Sequence, residues 1–331
     1  MTERSEQATA LNIKAEEPGR GREAETPNEI PAKGLRDVFW RVVSEVIEDR
    51  VTLVAAGVAF YVLLSLFPAL GALVSLYGLI ADPSTMVKHI EFVSDVLPPG
   101  AFDIILTQLN VLVMAKPSSL GLGFLVGLTV ALWSANSAVK AIFDAMNIAY
   151  GETEKRGIIR LNVMSLAFTA MALLLAAVFI AAIGGVPAML AYIWLDRWQE
   201  SLIRILRWPI VLTFIGCGIA MIYHFGPSRE PAKGRWLNWG AVLSTLLWVT
   251  ASILFSYYLE TFADYQATYG ALGAVIGFMI WTWISVMIII VGAELNAELE
   301  RQTFQDTTTG APKPLGSRGA YVADTVGEAV D

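Results

Sequence analysis

The stretch from Tyr269 to Glu298, YGALGAVIGFMIWTWISVMIIIVGAELNAE, limits what this chain can become more than any other. No charged residue falls between Asp264 and Glu294. The run therefore exceeds the roughly 20 apolar residues that carry a helix across a bilayer. Its first half holds Gly270, Gly273 and Gly277, small residues at helical spacing that let a neighbouring backbone come close. Its end turns acidic at once, with Glu294, Asn296 and Glu298 following Gly292. A helix of this kind is expected at the core of a membrane bundle.

The rest of the chain agrees. A mean hydropathy of +0.57, 55% hydrophobic residues and 16% charged residues describe an all-α, polytopic membrane protein. The single cysteine, Cys217, lies in an apolar run and excludes an intrachain disulfide. His89 and His224 are far apart and lack cysteine partners, so no metal site is expected. Residues 1–34 and 301–331 are poor in large apolar side chains and are expected to be disordered tails around a transmembrane domain at 35–300. The first tail holds no apolar core of a signal peptide, so the first membrane helix is expected to act as the targeting signal.

Between the tails the pattern predicts six spans, at about 51–80, 120–143, 160–183, 208–225, 238–259 and 271–293. Ahead of them, Leu35, Val38, Phe39, Val42, Val43, Val46 and Ile47 recur at helical spacing, with Arg36, Arg41, Glu45 and Glu48 opposite. This is an amphipathic helix, lying on the membrane surface or packed against cytoplasmic loops. Pro68, preceded by Ser65, falls inside the first span and predicts a helix break there, either a hinge or a static kink. Gly123 and Gly127 open the second span as another close-packing pair. Residues 81–118 read as a short amphipathic hairpin over the outer mouth.

Orientation follows from the basic residues near the span ends. With the N-terminus inside, the inner side holds Lys33, Arg36, Arg41, Arg50, Lys155, Arg156, Arg160, Arg229, Lys233, Arg235 and Arg301. The outer side holds Lys88, Lys116, Arg197, Arg204 and Arg207. Eleven against five places both termini in the cytoplasm.

Asn136, Lys140, Asp144 and Asn147 form one polar stripe along the second span. At 1.5 Å per residue from the helix start, Asn136 lies about 24 Å down, within a core about 30 Å thick. Lys140 then reaches the interface and Asp144 lies beyond it. The stripe is either interhelical glue or one wall of a cytoplasm-facing polar cavity. Glu294 and Asn296 end the sixth span on the same side, where Glu294 is expected to meet Lys140, Arg160 or Asn136.

Several chemistries leave no trace. There is no phosphate loop, no serine elbow and no HExxH pair. The acids do not cluster at metal-ligand spacing, and no soluble basic domain is present to grip nucleic acid. Neither catalytic residues nor a cofactor is expected.

Four stretches in this order resemble one family. They are AFYVLLSLFPAL, WSANSAVKAIFDAMNIAYGETEKRG, the turn from Tyr223 to Gly240, and the run from Tyr269 to Glu298. Together they are similar to the YihY/virulence factor BrkB family of bacterial inner-membrane proteins. The resemblance implies six helices in the inner membrane and no settled activity. The ribonuclease BN label attached to that family is a misassignment. Two functional readings stand on the residues. One is a protein that binds or moves a lipid or small amphipathic solute through the polar cavity, with membrane lipids as its partners. The other is a non-transporting scaffold or envelope-assembly partner.

Overall fold

A computed structural model of the chain describes residues 18–80, 117–180, 197–261 and 273–330. After a 3-10 turn at Pro27–Glu29 come α1 (Ala32–Glu48), α2 (Val51–Ile80), α3 (Pro117–Ala149), α4 (Ile158–Ile180), α5 (Arg197–Phe225), α6 (Gly234–Thr261), α7 (Gly273–Glu300) and the short α8 (Tyr321–Asp324). Among the described residues there is no strand, only an isolated bridge between Ala232 and Thr308. The expected hairpin at 81–118 lies almost wholly outside the described residues, as does Gly270.

The helices form where apolar runs leave the backbone no better partner than itself. Segments of α3 (Leu125–Ala149), α6 (Gly234–Leu259) and α7 (Val275–Glu300) are each long and apolar enough to cross a bilayer. The pair α1–α2, bent by 59°, makes a fourth candidate. The bend is local: Asp49 closes α1 by donating its N–H to Glu45 O, and Arg50 takes a left-handed φ of 50° before α2 begins. Pro68 lies inside α2 without ending it. Helix α2 runs through it from Val51 to Ile80, and Ser65 Oγ donates to Val62 O at 2.7 Å. One missing N–H is too little to end a helix whose other ladder bonds stand.

Neighbouring helices pack in the order α4, α3, α2, α7, α6, α5, with α1 lying against the end of α7. Helix α7 therefore sits at the centre, as its sequence predicts. Its Val286, Ile290, Ala293 and Ala297 pack with Val51, Ala55 and Val58 of α2, Met146 of α3, Tyr223 of α5 and Ala241 of α6. A second cluster joins Val38 and Val42 of α1 to Trp236 and Leu299.

At the start of α7, Gly277 sets no close approach. A Cβ on Gly277 would meet nothing within 4 Å. A Cβ on Gly240 would instead overlap the Gly292 carbonyl, and one on Gly292 would overlap Ser244 Oγ and the Tyr223 hydroxyl. Helices α6 and α7 cross here, backbone to backbone.

The expectation of a disordered C-terminal tail is also corrected. Residues 302–330 fold across the end of the bundle. Thr303 Oγ1 donates to Arg22 O and Ala24 O, Lys233 N donates to Thr307 O, and Tyr321 N donates to Glu152 Oε1. Arg318 donates to the carbonyls of Phe304, Gln305, Lys313 and Ala323. Residues 18–34 join this cap through Arg22, which donates to Gln302 O and Gly327 O. Composition reflects apolar area alone, whereas this segment is held by buried guanidinium groups that satisfy backbone carbonyls. Residues 18–50, 150–157, 226–233 and 301–330 thus share one end of the bundle, the capped end.

Candidate functional site

The last two turns of α7 drive polar groups into the capped end. Glu294, Asn296, Glu298, Glu300 and Gln302 are each at most 1% exposed. Burial on that scale requires a partner for every polar atom, and most have one. Asn296 Oδ1 accepts from Gly240 N at 2.8 Å, and its Nδ2 donates to Leu237 O at 3.2 Å. The side chain of α7 is thereby stitched to the backbone of α6, in the space that the missing Cβ of Gly240 leaves open. Two turns earlier, the Tyr223 hydroxyl donates to Ile289 O at 2.8 Å, and Ser244 Oγ donates to Ile288 O at 3.0 Å.

The acids farther along α7 are neutralised by arginines from three elements. Arg41 of α1 donates Nε to Glu298 and Nη2 to Gln302 Oε1 at 2.7 Å. Arg301 bridges Glu298 and Glu45, the latter at 2.9 Å. Arg229, from the α5–α6 connection, holds both oxygens of Glu300, at 2.7 and 3.1 Å. The guanidinium of Arg229 also stands 5.0 Å over the Tyr150 ring. Burial works against the charge on Arg229, but Glu300 outweighs it and raises its pKa.

Glu294 is the exception. It is 1% exposed, and its Oε1 has no hydrogen-bond partner, the only such carboxyl among the described residues. The charged groups acting on it are acids: Asp49 from the α1–α2 turn, Glu45 from α1 and Glu298 from α7 itself. Two of these are already engaged, Glu298 by Arg41 and Arg301, and Glu45 by Arg301. Glu294 and Asp49 remain as two carboxyls without an arginine between them. Burial, followed by the charge of Glu45, raises the pKa of Asp49.

The stripe on α3 goes elsewhere. Lys140 Nζ donates to Asn162 Oδ1 of α4 at 2.6 Å, and Asn136 Nδ2 points at the same oxygen from 3.5 Å. Asn147 accepts from Ser228 N at 2.7 Å and donates to Glu154 Oε2 at 3.2 Å. Glu154 is also clasped by Arg156, whose hydrogen bond leads the effects that hold its pKa down to about 2. Asp144 and Arg160 are exposed. The expected meeting of Glu294 with Lys140, Arg160 or Asn136 does not occur: α4 takes the stripe, while α7 turns its acid toward α1. Asp49, Glu45, Arg229 and Gly240 are the residues that sequence reasoning missed. The first two fall four apart, at the end of a helix whose polar face reads as ordinary solvated surface.

The family model described as Virulence factor BrkB matches residues 42–315 of this chain. A protein of Bacillus subtilis (strain 168) named as ribonuclease-like, YfkH, is 31% identical over 262 residues, covering 75% of this chain and 90% of that protein. A UPF0761 membrane protein of Idiomarina loihiensis is 30% identical over 198 residues, covering 58% of this chain and 64% of that protein. Another UPF0761 membrane protein, of Pseudoalteromonas translucida, is 23% identical over 282 residues, covering 81% and 88% respectively. No solved structure matches the chain.

Proposed function

This chain belongs to the virulence factor BrkB family, a family of membrane proteins, and from that premise we propose that it handles a lipid or small amphipathic solute at the cytoplasmic side of the inner membrane. It does so as a six-span bundle with both termini inside. The excess of Lys and Arg at the capped end supports that orientation. Helix α1 lies along the membrane surface. In support, Leu35, Phe39, Val43 and Ile47 make an exposed apolar row, while Asp37 and Arg41 on the other face are buried.

The observation that carries the reading is Glu294. A buried carboxyl oxygen without a donor is costly in a purely structural role, and at membrane depth it is a functional group by default. Lys140, Asn147 and the Asn136 amide nitrogen are engaged by interhelical or loop partners, and the one unpartnered atom of the stripe, Asn136 Oδ1, is neutral, so Glu294 with Asp49 replaces the α3 stripe as the proposed site. The test is reconstitution of the full chain into phospholipid vesicles holding a fluorescent headgroup-labelled lipid. Transfer between leaflets is then read with a membrane-impermeant quencher. The reading expects faster transfer than in empty vesicles and a clear loss in Glu294→Gln. Transfer no faster than in empty vesicles removes lipid from the reading.

A scaffold or envelope-assembly role is the second reading. The Asn136–Asn162–Lys140 group and the folded C-terminal cap favour it, because both fix helices relative to one another. We propose no enzymatic activity, cofactor or nucleic-acid partner. The ribonuclease-like wording belongs to the name of the Bacillus relative. Among the described residues no three His, Cys, Asp or Glu side chains are grouped to hold a metal ion.

A further inference from the structure

We infer that Glu294 and Asp49 form a proton-binding pair, in which Glu294 carries the proton and Asp49 passes it to and from water at the capped end. Glu294 is 1% exposed, and its Oε1 faces no donor. An ionised carboxylate so placed has lost its water and gained neither a cation nor a hydrogen bond for that oxygen. Binding a proton removes the charge.

Every neighbouring element argues against a cation of the protein's own. Helix α1 brings Glu45, the α1–α2 turn brings Asp49, and α7 brings Glu298 one turn on. Arg41 and Arg301, the arginines at this end of α7, are held by Glu298 and Glu45. Among the described residues, the buried side chains of α2, α3 and α6 are uncharged. On the α3 side the titratable neighbour of α7 is Tyr150, set beside Asn296 and Glu300. Helix α5 brings Tyr223, whose hydroxyl is bound to Ile289 O.

Asp49 completes the pair. It is partly buried, stands at the left-handed turn where α1 bends into α2, and lies within hydrogen-bonding reach of Glu294. The transfer balances without a co-reactant: the Glu294 carboxyl gives its proton to the Asp49 carboxylate, becoming a carboxylate, and Asp49 gives it on to solvent water. Three carboxylates converging on a metal ion are not what the geometry offers, since no metal-holding group is found among the described residues.

This proton site shares Glu294 with the solute-handling reading and deepens it. Its test reports protonation whether or not any solute moves, so the two can fail separately. The full chain in lipid nanodiscs is titrated while the protonated-carboxyl C=O stretch is followed by infrared difference spectroscopy. The expected result is a buried-carboxyl band at pH 7 that disappears at higher pH and is absent from Glu294→Gln. Asp49→Asn retains the band and moves its disappearance to lower pH, because a neighbouring negative charge is gone. That second variant also serves if Glu294→Gln fails to fold. The proposal is overturned if the band is absent at pH 7, if it is unchanged in Glu294→Gln, or if Asp49→Asn leaves its pH dependence unmoved. Loss of the band on adding sodium at fixed pH overturns it in favour of a cation site.

Discussion

Two polar regions lie in otherwise apolar helices, and they resolve in opposite ways. On α3, Lys140 and Asn136 converge on one amide oxygen of Asn162, and Asn147 is engaged by Ser228 and Glu154. On α7, Glu298 and Glu300 have arginines and Asn296 has backbone, yet Glu294 has only acids for company. The first region behaves as glue, with only the neutral amide oxygen of Asn136 left without a partner. The second is glue with an acid left over, and that carboxyl locates the site. Spacing along a helix identifies which polar residues share a face; the partner across the interface decides whether they are structural.

The strongest way to break the comparison is to remove the crossing that holds α7 in place. Gly240→Leu or Gly292→Leu puts a side chain where backbone, hydroxyls or Asn296 already stand. Loss of about 4 kcal/mol or more is expected, read as failure to recover folded protein in detergent. Gly277→Leu is expected to be tolerated far better, since its Cβ direction is open. Equal damage at Gly277 and Gly292 would mean that α7 is not seated by its second half.

Next in size is the arginine that neutralises Glu300. Arg229→Met leaves a fully buried carboxylate unpaired, and an uncompensated buried charge costs about 3–5 kcal/mol. A large drop in the thermal midpoint is expected, with partial recovery in the double variant Arg229→Met/Glu300→Gln. If the double variant is no better than the single one, the pair is not the reason for the loss.

A smaller effect separates the two regions by pH. Glu154 has its pKa held down to about 2 from an ordinary 4.5, chiefly by the Arg156 hydrogen bond. Its contribution is present above about pH 4.5 and is lost as pH falls toward 2. Asp49 is shifted the other way, raised from its ordinary 3.8 by burial and Glu45. The folded state therefore holds that proton more tightly than the unfolded chain does, and stability declines as pH rises above about 3.8. Unfolding midpoints across pH should show Glu154→Gln losing the acid-side fall and Asp49→Asn gaining stability toward neutral pH. Parallel slopes in the two variants would erase the distinction drawn between the regions.

Much of the fold was legible in the sequence, because apolar runs of bilayer length admit little besides helices. The stretch around α7 reads correctly as a core helix, and its acidic end reads correctly as the place where polarity enters. The site was only half legible. Glu294 stands out in the sequence, but Asp49 does not, since a carboxylate at a helix end usually meets water. Gly240 and Gly292 lie far apart in the chain and become a pair only when α6 crosses α7. The tails misled for a related reason: residues 302–330 lack the apolar content of a core, and their order comes from Arg22, Arg318 and Thr303 satisfying backbone groups across long sequence separations. Composition carries no record of such bonds.

The central claim is that neighbouring acids on one helix differ in kind, Glu298 paired and Glu294 not. It is tested most directly by measuring the unfolding free energy of Glu294→Gln and Glu298→Gln side by side at neutral pH in the same detergent. Removing the charge of Glu298 abandons Arg41 in a buried setting, and a loss of about 3–5 kcal/mol is expected. Replacing Glu294 by its neutral isostere removes no ion pair, and a change within about 1 kcal/mol is expected. Equal losses in the two variants would contradict the account, because Glu294 would then have a cationic partner of its own.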